Sequence, residues 1–220
     1  MDWIAVALTL KLAALTTAVL AVAGLPLAYW LATSRKRWRA IVDAAVAIPL
    51  ILPPTVLGFY ILLSTGPDTV LGRWYDRIAG GTIPFSFTGI LLASVIYNLP
   101  FAVRPFASGF ATVDRRLVEA ARSLGSSGAG AFFRVVLPLS WPSVLSGIVL
   151  AFAHTVGEFG VVLMVGGNIP GVTRTVALAI YDDVQALDYA GANEASLLLL
   201  LFAIAVLSLT YAVQRRPFAL

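Results

Sequence analysis

The chain has 220 residues, 60% of them hydrophobic and 12% charged, and a mean hydropathy of +0.92. A soluble domain is about a quarter charged, so this composition points to one membrane domain of several helices. With no cysteine, disulfides and thiolate metal sites are excluded; the net charge of +4 fits basic residues gathered in membrane loops, since no basic stripe interleaves with aromatics on a soluble face as nucleic-acid binding requires.

Crossing the hydrocarbon core takes about 20 apolar residues in a helix, and five stretches qualify: 12–31, 44–63, 85–110, 142–165 and 195–214. The first is followed, not preceded, by a basic cluster, SRKRWR, and MDWIAVALTL has no basic start; it is expected to be a retained span, not a signal peptide. The second carries Pro49, Pro53 and Pro54, which predict a kink or local unwinding. The third holds Ser94 and Asn98, polar groups inside an apolar run, and Arg104 near one end, where a long side chain can snorkel to the interface.

Residues 114–140 form a polar loop. Asp114 is a candidate N-cap for a helix RRLVEAARSL that stops at Gly125, with Leu117, Ala121 and Leu124 on one face. SSGAG predicts a turn, after which AFFRVV resumes helical spacing until Pro138, expected to break it. The fourth span has a small-residue stripe, Ser143, Gly147, Ala151 and Thr155, which predicts close helix packing, within the subunit first, with a dimer interface or the polar path as alternatives. It also places His154 and Glu158 one helical turn apart, with His154 or backbone donors as the expected partners of Glu158 in a packing or gating role. The segment 166–193 contains a helix-like TVALAIYDDVQAL and is expected to fold against the outer mouth. No repeat of fixed period and no low-complexity tail is present.

Counting Lys and Arg gives an orientation. One side collects Arg35, Lys36, Arg37, Arg39, Arg115, Arg116, Arg122, Arg134, Arg215 and Arg216; the other collects Lys11, Arg73, Arg77 and Arg174. Ten against four puts the N-terminus outside and the C-terminus and the loop 114–140 in the cytoplasm, and the acidic outer segment around Asp182, Asp183 and Asp188 agrees.

The loop carries a further pattern: Glu119, Ala120 and Ala121, three residues, Gly125, nine residues, then Val135, Leu137 and Pro138. This resembles the EAA motif of type I ABC-importer permeases, with Val135 where Ile is usual. IPLILPPTVLGFYILL and GEFGVVLMVGGNIPGVTRTVALAIYDDVQ resemble the molybdate permeases of that family, apart from Val172 at a position where they commonly carry Glu. The resemblance covers nearly the whole chain. It implies an all-α permease fold over 8–214, a homodimer in a prokaryotic cytoplasmic membrane, two copies of an ABC ATPase subunit and an extracytoplasmic molybdate-binding protein. In that family the loop is the coupling helix that docks on the ATPase, which gives Glu119, Ala120, Ala121, Gly125, Leu137 and Pro138 that role here. Sulfate, thiosulfate and tungstate permeases are the nearest alternatives, since all these cargoes are tetrahedral oxyanions.

The chain has no G-x-x-x-x-G-K-[ST] phosphate loop, so it is expected not to be an enzyme, and the resemblance implies no cofactor. HTVGE has neither the second His nor the Cys that a metal or metalloprotease site needs. An ion-driven carrier or channel would favour an internal repeat or charged pore rings and needs no docking loop. Because a permease must release its dianion, neutral donors suit the path better than an Arg cluster. Asn98, Arg104, Thr155 and Glu158 are the candidate path or gate residues.

Overall fold

The structure, a computed structural model, describes residues 2–214, with backbone only at 209 and 211–214. Arg215 and Arg216, counted above on the inner side, lie outside the described residues. The fold is all helical among those residues. In chain order it runs α1 (Trp3–Thr33), α2 (Arg39–Ile51), α3 (Pro54–Thr65), α4 (Val70–Ala79), α5 (Phe87–Ala111), α6 (Arg115–Ser123) and α7 (Gly128–Ala131). A π-helical turn (Phe132–Val136) follows, then α8 (Leu137–Leu139), α9 (Trp141–Val156), α10 (Gly160–Gly166), α11 (Val176–Gln185) and α12 (Tyr189–Gln214).

Local chemistry sets the ends of these elements. Asp2 caps α1 by accepting from the backbone N–H groups of Ile4 and Ala5, both at 3.0 Å. Thr69 and Ser86 cap α4 and α5 in the same way. The proline pair splits the second span. Pro53 and Pro54 donate no N–H, Pro54 begins α3 at a position where none is needed, and α2 and α3 meet at 115°.

By length and composition, α1, α5 and Tyr189–Ser208 of α12 can each cross a membrane alone. The α2–α3 pair qualifies only as a bent unit, as does Gly128–Leu139 with Trp141–Val156, bent by 78°. The expected fourth span, 142–165, is therefore not one helix. α9 stops at Val156, residues 157–159 are non-helical, and α10 resumes at Gly160. Pro138, expected to end a helix, instead sits in the first turn of α8. The π turn just before it bonds Leu137 N–H to Phe132 O, which re-spaces the backbone ahead of a residue that can neither donate nor tolerate the carbonyl four positions back.

The core is layered. One cluster joins Leu20, Ala28 and Leu31 of α1, Val46 of α2, Phe106 and Phe110 of α5, Val136, and Val144 and Ala151 of α9. A second joins Leu8 and Leu12 of α1, Leu57 and Ile61 of α3, Ile90 and Ala93 of α5, Val161 and Val165 of α10, and Leu178 of α11. A third, Ala5, Val176, Ala179 and Ala195, ties α11 and the start of α12 to the start of α1. The order of residues through these clusters shows that α1 and α5 run one way, and the α2–α3 and α9–α10 pairs the other. Each broken pair leaves its first half in one cluster and its second half in the next.

Small residues set the closest approaches. A Cβ on Gly147 would lie 2.6 Å from Phe106 Cε1 and 3.0 Å from the Ala102 carbonyl, so the expected stripe on α9 packs against α5 within the subunit. Gly58 of α3 and Gly160 of α10 do the same for the second halves: a Cβ on Gly58 would meet Met164 at 2.7 Å, and one on Gly160 would meet Pro54 at 2.9 Å.

Candidate functional site

The loop 114–140 is a helix–turn–helix knob. Asp114 Oδ1 accepts from Arg116 N–H at 2.9 Å and starts α6, none of whose residues is buried. Gly125 ends it with φ +88°, a conformation that L side chains rarely adopt. Its N–H bonds Arg122 O, and the next N–H, on Ser126, reaches back to Ala121 O, both at 3.0 Å. This pair of bonds is a Schellman stop, which satisfies carbonyls that the helix end would otherwise leave open. Ser127 then caps α7 through Gly130 N–H.

Glu119 and Ala120 are exposed, and Ala121 is half-buried. Leu124, on the face predicted to carry Leu117 and Ala121, is 88% exposed. Leu137 is half-buried and Pro138 exposed at the base of the second arm. That arm is fixed to the bundle by Phe132, whose ring lies 5.0 Å from Tyr29 of α1 and 5.5 Å from Phe110 of α5. The knob is thus an apolar-tipped, exposed projection on a ring-packed base.

A second site lies inside the bundle, where the two larger clusters meet. Asn98 of α5 is fully buried and uses every polar atom of its amide. Nδ2 donates to Ser94 O at 2.9 Å and to Glu158 Oε2 at 2.8 Å, and Oδ1 lies 2.8 Å from His154 Nδ1. Because Ser94 O can only accept, the NH2 end faces Ser94 and Glu158. The Asn98 oxygen therefore faces His154, whose Nδ1 must carry the hydrogen. The His154 ring also stacks on Phe101 at 3.9 Å, with Tyr97 at 5.3 Å. Glu158, 4% exposed, sits in the break between α9 and α10.

This arrangement corrects two expectations. His154 and Glu158 are not successive turns of one helix, and they are not partners of each other; each binds the Asn98 amide from a different side. Glu158 takes its bond from a side chain of α5 and not from His154 or a backbone donor. Of the four candidate path or gate residues, the structure joins the side chains of Asn98 and Glu158; Thr155 meets Glu158 only through its backbone carbonyl, which accepts from Glu158 N–H at 3.2 Å, and Arg104 stands apart. Thr155 is buried with its hydroxyl donated to Ala151 O at 2.8 Å in its own helix, and Arg104 is exposed with no hydrogen bond or ion pair among the described residues. His154 was absent from that set. Its signal in the sequence was its lone status among 220 residues within an apolar run.

The segment 166–193 packs against the starts of α1 and α12, and its first turn is locked. Asn168, at φ +57°, donates to both oxygens of Asp182 at 2.8 and 2.9 Å, and Arg174 binds Asn168 Oδ1 and Asp182 Oδ2. Thr173 Oγ1 closes the same turn on Gly166 O, and Val176 N–H bonds Thr9 Oγ1 of α1.

The sequence profile described as "binding-protein-dependent transport system inner membrane component" matches residues 24–217. The molybdenum transport system permease protein ModB of Azotobacter vinelandii is 48% identical over 97% of this chain and 95% of its own length. The ModB of Escherichia coli (strain K12) is 38% identical over 84% of this chain and 80% of its own. A crystal structure of a bacterial ABC transporter involved in the import of the acidic polysaccharide alginate superposes with a TM-score of 0.78, covering 98% of this chain and 79% of that one. At 18% identity, this is a likeness of fold.

Proposed function

This chain belongs to the family of binding-protein-dependent transport system inner membrane components, and we propose that it is the membrane-spanning permease subunit of an ABC importer for molybdate. The 48% identity over nearly the full length of a molybdenum permease carries this reading. ATP hydrolysis takes place in a separate partner subunit.

The finer assignments extend that reading. The chain crosses the prokaryotic cytoplasmic membrane five times within 8–214, with its N-terminus outside, and two copies form the pore. The knob 114–140 docks on the ATPase. Glu119, Ala120, Ala121 and Gly125 form its first arm, and Leu137 and Pro138 the base of its second. Small Ala120 and Ala121 support close approach, and the fixed turn at Gly125 presents α6 in one orientation. The segment 166–193 meets the extracytoplasmic molybdate-binding protein, and its Asn168–Arg174–Asp182 lock suits a surface that must hold shape on docking. Asn98 and Glu158 stand at the gate, where α9 and α10 separate. Arg104 and Thr155 are weaker members of the path, since neither side chain reaches that network.

Uptake of labelled molybdate, tungstate and sulfate into vesicles containing the assembled complex tests the substrate. Molybdate uptake that depends on ATP and on the binding protein is expected; preference for sulfate would overturn the molybdate assignment. Val172, exposed at a position where molybdate permeases commonly carry Glu, is the departure from the molybdate pattern that makes this test necessary.

A further inference from the structure

The helix that connects α3 to α5 turns its apolar side outward. On α4, Val70, Trp74 and Ile78 follow one another at four-residue spacing and are 80%, 60% and 67% exposed, with Leu71 beside them. Arg73 and Arg77 are exposed on one flank of this stripe, and Asp76 lies on the far side of the helix.

The roll of α4 is fixed by its own contacts. Gly72, opposite Val70 and Trp74, is buried against the end of α3, where a Cβ would collide with the Gly66 carbonyl. Tyr75 Oη bonds Thr88 Oγ1 in the first turn of α5 at 3.1 Å. Thr69 caps the helix, and Arg73 Nη1 donates back to Asp68 O at 2.6 Å. The stripe is therefore held away from the end of α3, with nothing of its own chain over it.

These contacts also give the helix a level. α5 has 25 residues, which at about 1.5 Å each reach about 37 Å, against a hydrocarbon core of about 30 Å. Its first turn, and Tyr75 with it, thus stands among the lipid headgroups. Trp is a residue that membrane interfaces favour, and Trp74 sits at the centre of the stripe. Among the described residues no carboxylate pairs with Arg73 or Arg77, and a headgroup phosphate is the anion available at that level. A second copy seated stripe to stripe would instead bring the arginines of both copies together.

We infer that α4 is an interfacial helix. Val70, Trp74 and Ile78 sink to the boundary between headgroups and acyl chains, and Arg73 and Arg77 meet lipid phosphates at the rim. The helix ties the end of α3, the second half of a broken pair, to the membrane surface. The inference rests on the membrane reading of α3 and α5 and is independent of the cargo.

The chain has no cysteine, so a nitroxide can be placed at one introduced cysteine at a time. The test measures collisions of each label with oxygen and with a water-soluble nickel chelate, in the importer assembled in nanodiscs with cysteine-free partner subunits. Labels on Val70→Cys, Trp74→Cys and Ile78→Cys are expected to favour oxygen several-fold more than one on Asp76→Cys, with Arg77→Cys between them. Leu201→Cys, exposed in the apolar run of α12, is the membrane control. Nickel-favoured collisions at 70, 74 and 78 with oxygen favoured at 201 overturn the inference alone; nickel favoured at 201 as well overturns the membrane reading beneath it. Protection of the stripe from both reagents also overturns the inference, and spin–spin broadening would then name a second copy as the occupant. With Arg73→Gln and Arg77→Gln added, the label at 74 is expected to lose part of its oxygen preference; an unchanged ratio overturns the role of the two arginines.

Discussion

Replacing Gly125 by Ala isolates the turn of the knob from everything it touches. A Cβ added there meets nothing within 4 Å, so the substitution creates no clash and fills no space. What remains is the backbone, held at φ +88°, where an L side chain costs about 1–2 kcal/mol. No residue of α6 is buried, so the membrane bundle loses no packing and its thermal unfolding is expected to stay at the native value. On the docking proposed for the knob, the penalty falls on the docked conformation, and 1–2 kcal/mol corresponds to a loss of about 5–30-fold in affinity for the ATPase subunit. Gly125→Asn is expected to lose less, because Asn tolerates left-handed backbone better than Ala. Titration of the ATPase subunit onto the permease in nanodiscs measures both. Native affinity in Gly125→Ala would refute the reasoning, and so would equal losses in the two variants, since bulk and not φ would then be the cause.

Gly147→Ala is expected to destabilise the bundle by about 1–3 kcal/mol, because its Cβ collides with the fully buried Phe106 ring and the Ala102 carbonyl. Thermal unfolding in nanodiscs measures it, and partial rescue by Phe106→Leu should accompany the loss. Asp182→Asn removes the charge that holds Arg174 at 2.6 Å and is expected to cost about 1 kcal/mol or somewhat more, given that both side chains are about 30% exposed. Hydrogen exchange should rise over residues 168–175 while the core amides keep their protection; an unchanged loop would show that the lock is dispensable. Asn98→Leu leaves Glu158 and His154 facing an apolar side chain, and a loss of about 1–3 kcal/mol for each stranded group is expected in the same unfolding assay.

Local patterns carried much of this architecture in the sequence. Long apolar runs marked the spans, and the proline pair at 53–54 marked the sharpest bend, because proline acts through its own backbone. Asp114 and Gly125 marked both ends of α6 for the same reason: cap and stop are written in residues that contact their own helix. The break at residues 157–159 was hidden because Gly-Glu-Phe contains no residue that forbids a helix. Pro138 misled in the opposite direction, since a π turn upstream absorbs it. The Asn98 bridge joins residues 56 and 60 positions apart, a distance over which periodicity says nothing. Ser94 and Asn98 stood out as polar groups inside an apolar run, but what they met depended on packing.

The layered core has a mechanical consequence. α1 and α5 alone place buried residues in both large clusters, whereas the α2–α3 and α9–α10 pairs change layer where they bend. A displacement applied at the knob enters through Phe132 and Val136 into the near layer, where α2 and α9 can follow it by flexing at their breaks. The far layer receives it through the two unbroken rods, through the chain at the two breaks, and through the Asn98–Glu158 bond. The two layers are thus two decks on a pair of posts, and the polar link of Asn98, His154 and Glu158 lies where the decks meet.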